Sequence, residues 1–369
     1  MIFHQYWLMK IALCHDHFTK RGGGERVVMA MAKALDADIY TGFIDWENTY
    51  PELEDLHVSG LCPSLNQWKI ARLFEKHDFS QYDLVICSGT WAIAASHNHP
   101  SLWYCHTPAR WLYQMRNSSE SIAAAVNNPF ERALVSSLIK PFSLYWRRKD
   151  QIYVRQFDKI LCNSLNVRER VRACYGEDVY HKSLVVYPPI PVERYTWIGQ
   201  GDFYLSTARL DSLKRVDRIV NAFRKLPEKN LVVISGGPDR DKIKKSADGF
   251  RNITIMGWVS ESQLSHLIGT CIATIYIPID EDFGMSPVES MAAGKPCIGV
   301  DEGGLKETII HGVTGCLCEN VTDDLVAAIT YMTPKRALSM KESCISRSRD
   351  FSEHMFVQNL KQAIQEFHK

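Results

Sequence analysis

The chain has 369 residues, long for a single hydrophobic core, which stops growing near ~250 residues, and about right for two. Hydrophobic residues make up 46% and charged residues 23%, the mix of a folded globular protein and not of a disordered one. Forty-three Lys and Arg against 42 Asp and Glu leave a formal charge of +1, so the balance argues for no nucleic-acid partner, and any electrostatic specialisation is local.

Eleven cysteines are scattered, and the close pair Cys316 and Cys318 lacks the spacing of a zinc site or a redox motif, so reduced, buried thiols of a cytoplasmic protein are expected. No stretch reaches the ~18 to 20 unbroken apolar residues of a membrane span, and MIFHQYWLMK lacks the apolar run of a signal peptide. Residues 1–8 read as an N-terminal extension before MKIALC.

From there, short runs rich in Val, Ile and Tyr alternate with polar or glycine-rich turns and helical periodicity, which predicts parallel sheets covered by helices. The first half offers strands at Lys10 to Cys14, Ile39 to Phe43, Leu84 to Ser88, Leu102 to His106 and Ile160 to Asn163, with a long helical stretch between the last two. The run Tyr187-Pro188-Pro189-Ile190-Pro191 suits neither a helix nor a central strand and reads as a linker. After it come strands at Phe203 to Thr207, Leu231 to Ser235, Ile253 to Met256, Ala273 to Ile277 and Cys297 to Val300. Residues 9–187 are therefore expected to form one doubly wound Rossmann-like domain and 188–351 another. Residues 352–369 are expected to form a terminal amphipathic helix carrying Phe356, Leu360, Ile364 and Phe367, packed across the junction.

Ligands of open α/β sheets bind beyond the carboxyl ends of strands, so the post-strand segments carry the functional reading. The run Ile277 to Glu289 passes from a strand through a polar loop into a helix. Ser286 as N-cap, Pro287 at the first helical position and Glu289 three residues after the cap would form a capping box. The alternative for Glu289 is functional: amides at a helix start hold a diphosphate, and a carboxylate one turn in accepts from a ribose diol. Glu281, on the loop, has no capping role. Basic residues in Ser206 to Arg215, after the first strand of the second half, can grip a diphosphate as a sugar leaves, or can decorate a solvated helix start. Arg21-Gly22-Gly23-Gly24-Glu25-Arg26 opens a helix and lets backbone approach a ligand, though it is not the dinucleotide fingerprint. His106, in Trp103 to Trp111, ends a strand.

Two glutamates separated by seven residues, with Phe283-Gly284-Met285 between them, resemble the signature of the retaining glycosyltransferases of family 4, whose GT-B fold sets two Rossmann-like domains across a cleft. The resemblance covers nearly the whole chain from Met9 and is strongest from Arg209 to Gly315. It implies that Glu281 binds hydroxyls of the donor sugar, that Glu289 binds the ribose, and that the amides of Phe283, Gly284 and Met285 contact sugar and phosphate. Arg209 and Lys214 match the family's phosphate-binding pair, and Gly23 and Gly24 match its phosphate-covering loop. The His-Thr-Pro-x-Arg pattern at His106 and Arg110 resembles the family's mannosyltransferases, in which this histidine lies beside the donor sugar. By the same resemblance the base rests near Gly236, Trp258 and Val259, while His15, Asp16, His17 and Arg110 line the acceptor side.

The resemblance implies a metal-independent hexosyltransferase with a GDP- or UDP-hexose as substrate and no cofactor. GDP-mannose is the preferred donor, and a glycan or lipid-linked acceptor of surface polysaccharide or glycoconjugate synthesis receives the sugar. Asp280-Glu281-Asp282 also forms a DxD, read as incidental because Asp36-Ala37-Asp38 repeats it at a helix end. Between Glu131 and Arg172 there are ten Lys or Arg against four Asp or Glu, interleaved with Phe142, Tyr145 and Trp146. That composition suits peripheral docking to an anionic cytoplasmic membrane face, and equally a solvated helix with buried aromatics. A sugar-nucleotide epimerase or phosphorylase of the same fold, or a non-catalytic nucleotide-sugar-binding partner subunit, are the alternatives.

Overall fold

Apolar runs of four to eight residues that are hydrophobic on both faces can only be strands buried between helices, and the computed structural model builds two such sheets. It describes residues 9–113, 129–319 and 323–365, so the extension 1–8 lies outside the described residues, as do Phe367 and the side chains of 129–140. The chain divides into two compact units. One takes in the chain up to Val186 together with the segment from Ala363, and the other is Tyr187–Gln362.

The first unit holds β1 (Ile11–Phe18), β2 (Asp38–Ile44), β3 (Val58–Gly60), β4 (Leu84–Ser88), β5 (Ser101–Cys105), β6 (Lys159–Cys162) and β7 (Ser183–Val185). All pair in parallel in the order β3-β2-β1-β4-β5-β6-β7. Its helices include α1 (Gly23–Leu35), α2 (Gln67–Lys76), α3 (Arg110–Tyr113), α4 (Pro129–Gln156), α5 (Leu165–Tyr175) and α6 (Glu177–His181). Asp36, half of the second DxD, is the left-handed C-cap of α1.

The second unit holds β8 (Phe203–Ser206), β9 (Asn230–Ile234), β10 (Ile253–Gly257), β11 (Thr274–Tyr276), β12 (Cys297–Val300) and β13 (Gly315–Cys318), again all parallel, in the order β10-β9-β8-β11-β12-β13. Helices α7 (Val216–Arg224), α8 (Arg240–Ala247), α9 (Glu261–Thr270), α10 (Met285–Ala292), α11 (Leu305–Thr308), α12 (Asp323–Tyr331), α13 (Pro334–Ser339) and α14 (Lys341–Arg349) accompany it, as does α15 (Glu353–Gln365) as far as Gln362. Phe356, Leu360 and Ile364 of α15 are buried as the periodicity requires. Each unit has its own apolar core, centred on Ile70, Phe74 and Phe157 in the first and on Ile219, Phe223 and Ile275 in the second. Two Rossmann-like units of this kind are the architecture of the GT-B fold.

The strand orders locate the functional edges. Each sheet reverses its direction of winding once, between β1 and β4 in the first unit and between β8 and β11 in the second. At such a switch point the loops leaving the two strands diverge and open a crevice. The segments concerned are those beyond the last pair of β1 and β4, His15 with Ser88, and those after Ser206 and Tyr276.

Candidate donor-binding and catalytic site

At the switch point of the second unit, β8 and β11 lie side by side although their loops begin after Ser206 and Tyr276, far apart in the chain. Asp211 opens the loop after β8 by accepting from the amides of Leu213 and Lys214, which folds Ser212–Lys214 into a single 3-10 turn. Ile279 donates its amide to the Leu213 carbonyl at 2.7 Å and so ties the loop after β11 to that turn. The result brings Lys214 to Glu281: Nζ lies 2.6 Å from the Glu281 carboxylate and 2.9 Å from the Tyr276 hydroxyl. Tyr276 is buried, and burial first, then the carboxylates of Glu281 and Glu289, hold its hydroxyl well above the usual phenol range. Both glutamates therefore act on one neutral hydroxyl, beside one ammonium.

Arg209 is 61% exposed and directs its guanidinium to Asp211 at 3.5 Å, which leaves it open to an anion. The backbone of the glutamate loop is held from below. Gly304 donates to the Glu281 carbonyl at 2.9 Å, and a Cβ on Gly303 would fall 2.3 Å from that oxygen. Phe283 is buried in an aromatic trio with Tyr187 and Phe351, at ring distances of 5.5 and 5.3 Å, so only its backbone remains for a ligand.

The start of α10 departs from expectation. Its N-cap is Gly284, in a left-handed conformation (φ 89, ψ 77), with no capping side chain. Without a Cβ, glycine lets the chain enter the helix two residues before Ser286. Pro287 then stands third, where its missing donor costs nothing, because the first four helical amides have no partner within the helix. The capping box does not form, and Glu289 stands fifth in the helix without that role. Met285 opens α10 and packs against the core.

The turn after β9 completes this edge. Leu210 donates to the Gly236 carbonyl at 2.9 Å, and a Cβ on Gly236 would lie 2.3 Å from the Trp258 indole nitrogen, so only glycine admits that ring. Trp258 itself is 80% exposed, an indole face offered to solvent beside the partly buried Val259.

In the first unit the switch point gathers a histidine cluster. His15 Nδ1 lies 2.9 Å from the Ser88 carbonyl, and the Ser88 hydroxyl lies 2.9 Å from His106 Nε2. Burial, reinforced by His15, lowers the His106 pKa to about 3, so the ring is neutral. Gly24 backs onto it: a Cβ there would come within 3.8 Å of the His106 ring. Gly23 is the exposed first residue of α1. Asp16 does something other than line a surface. It is buried, and its two oxygens accept from the amides of Thr90, Trp91 and Ala92 at 2.7, 2.8 and 2.7 Å, which fixes the loop leaving β4. His17 meets Thr19 at 3.5 Å, and Arg110 begins α3 half-buried. Among the described residues no group of three or more His, Cys, Asp or Glu could hold a metal ion.

Comparison with known families follows the two units. Residues 21–194 match the family described as Glycosyltransferase Family 4, and residues 193–351 match Glycosyl transferases group 1. The chain is a GT-B glycosyltransferase of the GT1/GT4 superfamily. The glycosyltransferase is 24% identical over 356 residues to the alpha-1,3/1,6-mannosyltransferase ALG2 of Mus musculus, covering 81% of each chain. It is 23% identical over 419 residues to the ALG2 of Dictyostelium discoideum, covering 95% and 97%. Among solved structures, Anabaena Alr3699/HepE in complex with UDP superposes with a TM-score of 0.74 at 16% identity, over 97% of this chain and 100% of the other. The lipopolysaccharide outer core galactosyltransferase WaaB gives 0.69 at 16% identity, over 97% and 99%.

Sequence reasoning missed two residues of the glycosyltransferase's two edges, Tyr276 and Ser88, and it matched Glu302 to the family only as part of Glu302-Gly303-Gly304, without a role. Tyr276 carried a readable sign, since a tyrosine at a strand end before a glutamate loop places a hydroxyl at the switch point. Ser88 and Glu302 carried none of that kind, because their contacts exist only through strand order.

Proposed function

We propose that this glycosyltransferase is a retaining, metal-independent hexosyltransferase that moves mannose from GDP-mannose to a glycan or lipid-linked acceptor. The observation that carries the reading is the contact of Lys214 with Glu281 and Tyr276 at the switch point. An ammonium and a carboxylate side by side at a strand edge suit a sugar diphosphate, whose phosphates need cations and whose hydroxyls need acceptors. Lys214 and the open guanidinium of Arg209 take the diphosphate, and the amides of Phe283, Gly284 and Met285 assist. Glu281 orients the sugar hydroxyls and stabilises positive charge at the reacting carbon. Glu289, released from capping, takes the ribose, and the base lies on Trp258 beside Val259 and Gly236.

For Gly23, Gly24 and the neutral His106 of the first unit, the roles toward the donor are those that the family resemblance implies. His15, His17 and Arg110 shape the acceptor side, with Asp16 holding their loop. The acceptor attacks from the face the phosphate leaves, and the departing phosphate takes its proton, so no protein base is required. The mannosyl choice is supported by the relatives named as mannosyltransferases, and the nucleotide donor by the fold neighbour solved with UDP.

Docking to the cytoplasmic face of an anionic membrane belongs to the same reading. On α4, Phe142, Leu144 and Tyr145 are exposed beside exposed Arg147 and Arg148, apolar anchors next to cations. No helix among the described residues is long and apolar enough to cross a membrane.

Glu281→Ala tests the core of the proposal. Transfer from GDP-mannose to a lipid-linked glycan acceptor should fall by at least about 100-fold, as when a transition-state stabiliser is removed, while circular dichroism stays that of the wild type. Product stereochemistry by NMR should show retention at the anomeric carbon. An unchanged rate in Glu281→Ala removes the proposal.

A further inference from the structure

Lys214 and Glu281 each adjoin a residue with unusual backbone. Arg215, directly after Lys214, has φ 51 and ψ 31, and Asp280, directly before Glu281, has φ 45. Both are in the left-handed region, where a side chain's Cβ crowds the backbone, so each needs surroundings that hold it there. A single side chain reaches both. Glu302, on the loop after β12, accepts from Arg215 Nη2 at 2.5 Å and from the Asp280 amide at 3.4 Å, with the same oxygen. The Arg215 side chain is only 12% exposed, so its guanidinium depends on that carboxylate as a counter-charge.

Neighbouring backbone contacts run the same way. Gly304, two residues on, donates to the Glu281 carbonyl, and Ile279 donates to Leu213 across the two loops. Three loops, after β8, β11 and β12, thus meet at Glu302, which touches the residues flanking the Lys214 and Glu281 pair and not the pair itself.

We infer that Glu302 is a positioning residue: by pinning Arg215 and Asp280 in strained backbone it keeps the Lys214 ammonium and the Glu281 carboxylate aligned for transfer. The catalytic part of this inference rests on the function proposed above, whereas the coupling of the two loops does not. Its energetic logic is that of preorganisation. The alignment is built into the fold before donor binds, so its loss appears in the chemical step more than in donor affinity.

The test uses the full-length chain with Glu302→Ala, Glu302→Gln, and Glu302→Ala combined with Arg215→Gly. Amide hydrogen exchange is followed by mass spectrometry over residues 211–216 and 278–282, and donor kinetics are measured alongside. Glu302→Ala should speed exchange in both segments. It should lower kcat by about 10- to 100-fold, the scale of an ångström of misplacement, with KM for the nucleotide sugar within about threefold. Glu302→Gln, which keeps an oxygen acceptor but not the counter-charge of Arg215, should give a kcat between those of Glu302→Ala and wild type. Adding Arg215→Gly should recover part of the loss, because glycine takes positive φ without strain and removes the stranded charge.

Unchanged exchange in either segment overturns the inference. So does a Glu302→Ala enzyme with kcat within about twofold of wild type, or a Gln variant no better than the Ala variant. If wild type turns over no nucleotide sugar, the functional reading has failed and catalytic positioning goes with it; the exchange data still decide whether Glu302 couples the loops.

Discussion

A histidine at the end of a central strand invites the role of proton carrier, and His106 is poorly suited to it. Burial, with His15 close by, lowers its pKa to about 3 from an ordinary 6.5, so near neutral pH it takes up no second proton. Its Nε2 meets the Ser88 hydroxyl at 2.9 Å, a contact that fixes the ring's orientation. The pH dependence follows. Folded-state pKa lies below that of the unfolded chain, so stability from His106 is fully present above 6.5 and is lost as pH falls from 6.5 toward 3. Across about pH 5 to 8 the rate should therefore show no limb that belongs to this ring. A pH profile of kcat/KM for wild type and His106→Gln, recorded on the same donor, should give parallel curves. A limb near neutrality present only in wild type would show that His106 titrates after all. Tyr276 is neutral for the opposite reason, its hydroxyl being pushed up by burial and by the two glutamates. His106 and Tyr276 are thus both uncharged, one kept from gaining a proton and the other from losing one.

At the scale of elements, glycines after β12 decide whether the glutamate loop can sit where it does. Gly303 has φ 57, and a Cβ there would lie 2.3 Å from the Glu281 carbonyl oxygen, whereas Gly312 has φ 77 with nothing within 4 Å. Alanine at Gly312 meets only the left-handed penalty, about 1 kcal/mol. Alanine at Gly303 meets that penalty and a backbone collision, so it should cost at least about 2 kcal/mol more, or roughly 4 °C or more in thermal midpoint for a unit of this size. It should also depress transfer, while Gly312→Ala keeps it. Equal midpoints for the two variants would refute the close approach.

The same scale shows what the sequence made legible. Central strands could be read because burial on both faces demands uninterrupted Val, Ile and Tyr, as in Leu84–Ser88 and Cys297–Val300. The strands that escaped, β3, β7 and β13, are three or four residues long and lie at sheet edges, where one neighbour and half the burial impose a weak pattern. The start of α10 was misplaced because Ser286 and Pro287 form a good local signal, and a left-handed glycine overrode it. Glu281 and Lys214 were legible through motif and chemistry together. Glu302 was legible only as part of the Glu302-Gly303-Gly304 match and its role was not, since its partners lie 87 and 22 residues away and meet only once β8, β11 and β12 pack as neighbours.

For the molecule as a whole, the two units have separate sheets and separate cores, and Arg209, Lys214, Glu281, Glu289 and Trp258 all belong to Tyr187–Gln362. Chains built this way need not unfold in one step, and a ligand held chiefly by one unit stabilises that unit's transition above all. The nucleotide is the part of the donor these residues would hold. At about 100 times its dissociation constant it adds roughly 2.7 kcal/mol, about 5 to 10 °C for a unit of this size. GDP, UDP and ADP compared at equal concentration by calorimetry should therefore raise the midpoint of the second unit unequally, with GDP leading. Lys214→Ala should lose most of the shift, since it removes the ammonium facing the diphosphate while leaving the Trp258 face intact. Trp258→Ala should instead reduce the difference between nucleotides, because an indole contributes stacking that depends on the base and not on the phosphates. A shift that is the same for all three nucleotides would mean that the base is not read at the Trp258 face, and one that survives Lys214→Ala undiminished would mean that the diphosphate is held elsewhere than at the edge between β8 and β11.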